Sequence, residues 1–215
     1  TGNLGILVML DGRAATINWA DRYIPWIVHA WFPGEFMGDA IAKVIFGDYN
    51  PGGKLAVTFP RSVGQIPFAF LFKPGSDSKG FVRVTGSLYP FGYGLSYTTF
   101  DYSALKIENP VIGTQGSVKL SCRVKNTGKI AGDEVVQLYL HDEVSSVTTY
   151  VKVLRGFERI HLQPGEEKVV DFVLTPQDLG LWNYDNLLIV EPGTFAVMVG
   201  SSSQDIRLQG KFEVK

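Results

Sequence analysis

The chain has 215 residues with 20 basic and 21 acidic side chains, a formal net charge of -1, three histidines and one cysteine. That balance leaves no basic stripe for nucleic acid and no acidic tail, and the lone Cys122 excludes an internal disulfide. The longest apolar run, Leu4 to Leu10, is far shorter than the ~20 residues of a bilayer-spanning helix, so no membrane insertion is expected.

Taken in order, Leu4 to Leu10 is a continuous apolar run closed by Asp11-Gly12, the pattern of a strand covered on both faces in a parallel sheet. Such a strand needs neighbours, and the residues after it supply few. Earlier strands are therefore expected upstream, which makes this the C-terminal part of a longer protein. Trp26 to Phe32 reads as the next strand, Pro33-Gly34 as a turn, and Glu35 to Phe46 as a helix, with Ala40, Ile41, Val44 and Ile45 at helical spacing and Gly47 as its stop. Strand, turn and helix make half of a βαβ unit.

His29 falls within that strand with no second histidine or carboxylate at ligand spacing, and reads as a satisfied or partly exposed strand residue rather than a metal ligand. Glu35 has two readings, a carboxylate favoured by a helix N-terminus or a polar group facing a cleft beyond the strand's carboxyl end. Asn50-Pro51-Gly52-Gly53 is a turn, and Lys54 to Phe59 alternates as a strand ended by Pro60. Phe72 to Gly86 is polar and glycine-bearing, a surface loop of the kind that sometimes covers a cleft. Within it Arg83 either meets a ligand hydroxyl or pairs with a surface acid.

From Leu88 to Tyr102 aromatics at Tyr89, Phe91, Tyr93, Tyr97, Phe100 and Tyr102 interleave with Pro90, Gly92 and Gly94. The stretch is too punctuated for a helix and too apolar for a solvated linker, and reads as a packed hinge. The boundary between two units is set at Ser96, giving 1–96 and 97–215. The aromatics either wedge the units together or also line a cleft, with Tyr89 and Tyr93 as candidates. Beyond the hinge the chain is all β. Short alternating runs at Leu105 to Glu108, Val118 to Lys125, Glu134 to His141, Tyr150 to Phe157, Glu167 to Leu174, Leu187 to Val190, Gly193 to Gly200 and Ile206 to Val214 are separated by turn residues. That spacing predicts a sandwich of about seven strands with an immunoglobulin-like or fibronectin-like course. Leu120, Cys122 and Val124 share one face, so the thiol is expected to be buried and inert.

Most known catalytic patterns fail on this sequence. Gly94-Leu95-Ser96-Tyr97-Thr98 lacks the last glycine of a nucleophile elbow, Pro51-Gly52-Gly53-Lys54 lacks the remainder of a phosphate loop, and one cysteine with three scattered histidines gives no zinc spacing. A glycosidase needs two carboxyl groups, about 5 to 5.5 Å apart for retention. Asp11, Asp21, Glu35, Asp39, Asp48 and Asp77 are available in the first unit, and nothing in their spacing singles out a pair.

The run Tyr89-Pro90-Phe91-Gly92-Tyr93-Gly94-Leu95-Ser96-Tyr97 resembles the segment that leads into the fibronectin type III-like domain of family 3 glycoside hydrolases, the β-glucosidase and β-xylosidase group. Ala30-Trp31-Phe32-Pro33-Gly34-Glu35, Phe46-Gly47-Asp48-Tyr49-Asn50-Pro51-Gly52-Gly53-Lys54-Leu55 and Thr58-Phe59-Pro60-Arg61-Ser62-Val63-Gly64-Gln65-Ile66-Pro67 support it upstream. Downstream it is carried by Val124-Lys125-Asn126-Thr127-Gly128, Gly132 to Tyr139, Leu154-Arg155-Gly156-Phe157 and Gly193-Thr194-Phe195. Glu35-Phe36-Met37-Gly38-Asp39 departs from the Glu-Gly-Gly-like stretch usual after Pro-Gly in that family.

The resemblance implies a partial α/β sandwich, an incomplete parallel sheet, followed by a fibronectin type III-like β-sandwich. It implies a parent enzyme that hydrolyses terminal β-glucosyl or β-xylosyl units with retention and without a cofactor, acting on β-linked oligosaccharides or aryl glycosides. In the family the aspartate nucleophile and the glutamate acid/base lie upstream, so no catalytic residue is expected in this segment, and Glu35, Arg83, Tyr89 and Tyr93 remain as substrate-contact candidates. The missing N-terminal domains are the expected partner of the first unit, self-association through the open sheet its substitute, and a periplasmic or extracellular location the family's usual one. The contrasting reading is a non-catalytic carbohydrate- or protein-binding β-sandwich. Tyr139, Phe157, Phe172, Trp182, Phe195 and Phe212 mostly occupy core-type positions and speak against it, while Trp182 and Tyr184 in a loop speak for it.

Overall fold

The computed structural model describes residues 5–76 and 84–215. Strands β1 (Ile6–Met9) and β2 (Trp26–His29) pair in parallel, Ile6 opposite Trp26 and Met9 opposite His29, and helix α1 (Asn18–Tyr23) makes the crossover. The sequence pattern missed α1, because its short mixed segment has no periodicity; it is tied down by a distant contact, Asn18 Nδ2 donating to the Arg61 carbonyl at 2.6 Å. β2 ends at His29 rather than Phe32, since Trp31 takes a left-handed backbone, φ 54°, which no strand accommodates.

Helix α2 (Met37–Phe46) follows and ends on Gly47, whose φ of 84° is the left-handed stop that glycine adopts without strain. It begins two residues later than the sequence pattern suggests, leaving Glu35 in the preceding turn. None of its residues is buried; Phe36, Met37 and Phe46 stand exposed, as do Trp19, Tyr23 and Trp26 of the first unit. The first unit thus presents an open apolar surface.

The strand expected over Lys54 to Phe59 is not formed. Only β3 (Phe59–Pro60) pairs, with β4 (Ser87–Tyr89). The reason lies at Lys54, whose ammonium turns inward to Glu134 Oε1 at 3.1 Å and the Gly94 carbonyl at 3.2 Å, while Leu55 bonds the hinge backbone through Tyr93 O and Gly92 N. The alternation serves as an anchor to the hinge and not as a sheet.

The remainder is a two-layer sandwich. One sheet has the order β10 (Glu167–Leu174), β7 (Val118–Asn126), β5 (Phe100–Glu108), and the other β6 (Val111–Ile112), β14 (Ile206–Val214), β13 (Gly193–Gly200), β8 (Gly132–Asp142), β9 (Val153–Leu162). Helix α3 (Pro176–Leu179) and the small ribbon of β11 (Leu181–Trp182) with β12 (Leu188–Ile189) bridge β10 to β13. Alternate residues of β7, among them Leu120, Cys122 and Val124, meet Val136, Leu138, Val170 and Val197 in the core. Cys122 is buried as its pattern predicts, and burial pushes its thiol pKa up to about 11.

Two expectations in β9 are corrected. The strand runs Val153–Leu162 rather than Tyr150 to Phe157, and Phe157 is 68% exposed. Ile160 and Leu162 take the core face, and Phe157, an odd number of residues before each in an unbroken stretch of register, is turned outward by the alternation of the strand.

Candidate functional site at the aromatic hinge

Strand β8 is buried on both faces because the hinge covers its outer side. Tyr139 meets Phe70 at 6.1 Å, and Phe70 stacks on Phe91 at 4.1 Å. Gln137, 3% exposed, donates from Nε2 to the carbonyls of Gly92 (3.2 Å) and Ser201 (2.7 Å) and accepts the Tyr139 hydroxyl at 2.5 Å. Asn50 accepts from Ser96 Oγ and the Tyr97 N–H and donates to the Ala131 carbonyl, so one side chain joins first unit, hinge and sandwich. These bonds hold the hinge so that Tyr89 and Tyr93 project back over the first unit.

There they stack, centroids 5.2 Å apart and planes 15° from parallel. Tyr89 also meets Phe59 edge-on at 5.9 Å, and Phe59 continues to His29 (5.1 Å) and Trp31 (6.2 Å). His29 and Trp31 lie 4.1 Å apart, edge to face. The cluster stands at the carboxyl ends of β1 and β2, the edge at which open α/β sheets place ligands. A left-handed tryptophan costs about 1–3 kcal/mol, a strain that gathers at binding sites.

Two carboxylates belong to it. Asp21 on α1 accepts the Tyr89 hydroxyl at 2.7 Å. Burial first, and then that hydrogen bond, hold the Tyr89 hydroxyl protonated far above the ordinary tyrosine range, and burial with the Asp21 charge raises Tyr93 too. Asp11, just past the end of β1, lies 2.9 Å from His29 Nε2 and accepts the Arg13 N–H at 3.3 Å. The His29 side chain is 8% exposed against 33% for Asp11, so the imidazole is the inner member and the carboxylate the accessible one.

Of the residues singled out from sequence, the structure brings Tyr89 and Tyr93 together. Glu35 is exposed in the turn before α2 and joins no described hydrogen bond or ion pair of the cluster. Arg83 lies outside the described residues. His29, read as having no carboxylate at ligand spacing, is paired across the sheet with Asp11. Asp11, Asp21, His29 and Trp31 were missed as site residues; the one signal in the sequence was Asp11 closing the first apolar run, while the end of β2 at His29 emerges only in the structure. Among the described residues no three histidine, cysteine, aspartate or glutamate side chains group as metal ligands.

Known proteins resemble the chain along nearly its whole length. Residues 1–97 match the glycosyl hydrolase family 3 C-terminal domain, and residues 134–203 a fibronectin type III-like domain. A β-xylosidase of Formosa agariphila is 48% identical over 208 residues, 95% of this chain and 29% of the relative. A periplasmic β-glucosidase of Salmonella typhimurium is 43% identical over 225 residues, all of this chain and 29% of that protein. Among solved structures, a β-glucosidase from Erythrobacter marinus superposes with a TM-score of 0.93 at 41% identity over 98% of this chain and 28% of its own. A mutant β-glucosidase from Listeria innocua in complex with laminaribiose gives 0.93 at 32% identity, over 100% and 31%. The chain therefore spans under a third of the length of the relatives it matches.

Proposed function

Since this chain belongs to glycosyl hydrolase family 3, we infer that it is the supporting C-terminal part of a retaining β-glycosidase that removes terminal β-glucosyl or β-xylosyl units. Its two units divide at 96/97. The first contributes the hinge aromatics Tyr89 and Tyr93 to the rim of the substrate cleft, with Glu35 at its edge, and the sandwich holds the hinge in place. Hydrolysis proceeds on carboxylates supplied by the remainder of the enzyme. The apolar surface around α2 receives those domains, and in their absence a second copy of the chain.

One observation carries this reading. Both carboxylates of the aromatic cluster are already engaged, Asp21 by the Tyr89 hydroxyl and Asp11 by His29, whereas a retaining site needs one carboxylate free to attack and another placed to protonate the leaving group. The cluster is built to hold a ring and not to break a bond. Release of nitrophenol from nitrophenyl β-glucoside and β-xyloside tests it. The 215-residue chain should release none, and the chain joined to the upstream region its relatives possess should release it readily. Turnover by the chain alone, lost on Asp11→Asn or Asp21→Asn, overturns the assignment.

A further inference from the structure

We propose that the sandwich carries a binding groove for a neutral glycan chain, between the ribbon of β11 and β12 and the loop after β6. The groove, about 380 Å³, is lined by Thr114, Gln115, Pro176, Gln177 and Leu188, with no charged side chain in its wall. The side chains of Thr114, Gln115 and Gln177 make no hydrogen bond to any described residue. Two carboxamides and a hydroxyl therefore face solvent with donors and acceptors unspent. Trp182 lies directly opposite Leu188 in the ribbon, so both side chains leave the same face and the indole is the cross-strand neighbour of a leucine that lines the groove. Trp182 is 66% exposed, and Tyr184, two residues on, 85%.

Exposed aromatics on a floppy loop carry little information, but this tip is pre-ordered. Asn183 Oδ1 accepts from the Asp185 and Leu187 N–H groups at 2.9 and 3.0 Å. The Asn183 N–H bonds Leu187 O at 3.0 Å, and Asn186 takes the left-handed turn position, φ 57°. Aromatic faces fixed in advance lose little entropy on binding. An uncharged wall offers nothing to a phosphate, a carboxylate or a basic peptide. Flat apolar rings beside free amides suit a pyranose, which presents C–H groups on one face and hydroxyls around its edge.

The groove lies in the sandwich, apart from the Tyr89–Tyr93 cluster, and its test is independent of the hydrolysis reading. Isotope-labelled 215-residue chain is titrated with cellohexaose, xylohexaose and laminarihexaose, following the four indole and all side-chain amide resonances by NMR. Saturable shifts are expected at the Trp182 indole and the Gln115 and Gln177 amides, with Trp182→Ala weakening the affinity about tenfold, a loss in keeping with truncating an aromatic anchor. Gln177→Ala should weaken it less, and the Trp19, Trp26 and Trp31 resonances should stay in place in both variants, which certifies folding. The proposal is overturned by no saturable shift with any of the three sugars, by shifts confined to the first unit, or by affinity that survives Trp182→Ala. Concentration-dependent shifts of Trp182 without sugar would also overturn it, because the tip would then be a contact between copies of the chain.

Discussion

Replacing Gly92 by alanine probes the joint between hinge and sandwich most directly. Gly92 has φ 80°, and a Cβ there would lie 2.1 Å from Gln137 Oε1 and 2.9 Å from its Cδ and Nε2. The clash is with the end of a side chain, which would be cheap if Gln137 were free to swing. It is not: moving the amide abandons the Gly92 and Ser201 carbonyls and the Tyr139 hydroxyl, all in a water-poor joint. A left-handed alanine costs about 1–2 kcal/mol, and each buried polar group left unpaired about 1–3 kcal/mol. Allowing for partial relaxation, Gly92→Ala should lose about 3–5 kcal/mol, a large share of the ~5–15 kcal/mol typical of a domain. Guanidinium unfolding followed by circular dichroism measures it. A double-mutant cycle with Gln137→Ala separates the terms, since in that background the added methyl meets no amide and only the backbone cost of about 1–2 kcal/mol should remain. A loss below about 1 kcal/mol for Gly92→Ala alone, or strict additivity of the two changes, would refute the steric account.

Three further outcomes are expected. Lys54 and Glu134 form an ion pair with side chains 12% and 5% exposed, so Lys54→Met should cost about 3–5 kcal/mol by stranding a buried carboxylate, while Lys54→Met with Glu134→Leu should recover most of it; thermal melts of both variants decide. Asn126, fully buried, accepts from Thr98 Oγ1 and the Gly128 N–H and donates to the carbonyls of Ile130 and Leu162; Asn126→Ala should lose about 3 kcal/mol or more in a denaturation assay, because four hydrogen bonds lose their partner at once. At Asp133 burial acts to raise the pKa, and hydrogen bonds from His161 and Arg159 outweigh it and hold the carboxyl below its usual range. Its folded pKa lies below its unfolded one, so the stabilisation is complete above an unfolded value of about 3.9 and is lost as pH falls through the folded value. Arg159 and His161 are more than half exposed, which screens the gain to under about 1 kcal/mol; Asp133→Asn should shift the denaturation midpoint at pH 7, and the difference from the parent should shrink as pH falls below about 3.9.

The sandwich was legible in the sequence because each strand buries one face, and period-2 alternation in Val118 to Lys125 or Gly193 to Gly200 reports that directly. Gly47 was legible for a similar reason, as a residue type suited to one backbone state. Lys54 to Phe59 misled because alternation records which side chains are buried, not what buries them; here the partners are Glu134 and the hinge backbone. A usable signal was overlooked at Ser62-Val63-Gly64-Gln65, a capping box that starts a 3-10 turn. The candidate site was half legible. Aromatic density marked Tyr89 and Tyr93, but the acid that binds Tyr89 is 68 residues away on a helix with no periodicity, and no local pattern links them.

The placement of Gly92 explains why a β-sandwich with no carboxylate in the aromatic cluster belongs beside it. Tyr89 and Tyr93 flank Gly92, and their stack is only as well placed as the backbone between them. That backbone is held from both sides, by Leu55 of the first unit through two main-chain hydrogen bonds and by Gln137 of the sandwich through its amide. Gln137 is in turn fixed by the Ser201 carbonyl and the Tyr139 hydroxyl, both within the sandwich. Two aromatic rings on an isolated glycine-rich strip would sample many arrangements and lose most of their binding value to that freedom. Fastened to β8, whose other face is the sandwich core, the strip inherits the rigidity of a close-packed interior. In the proposed function the sandwich acts on the candidate site by removing conformations from the hinge, which requires contact with Gly92 and none with a substrate.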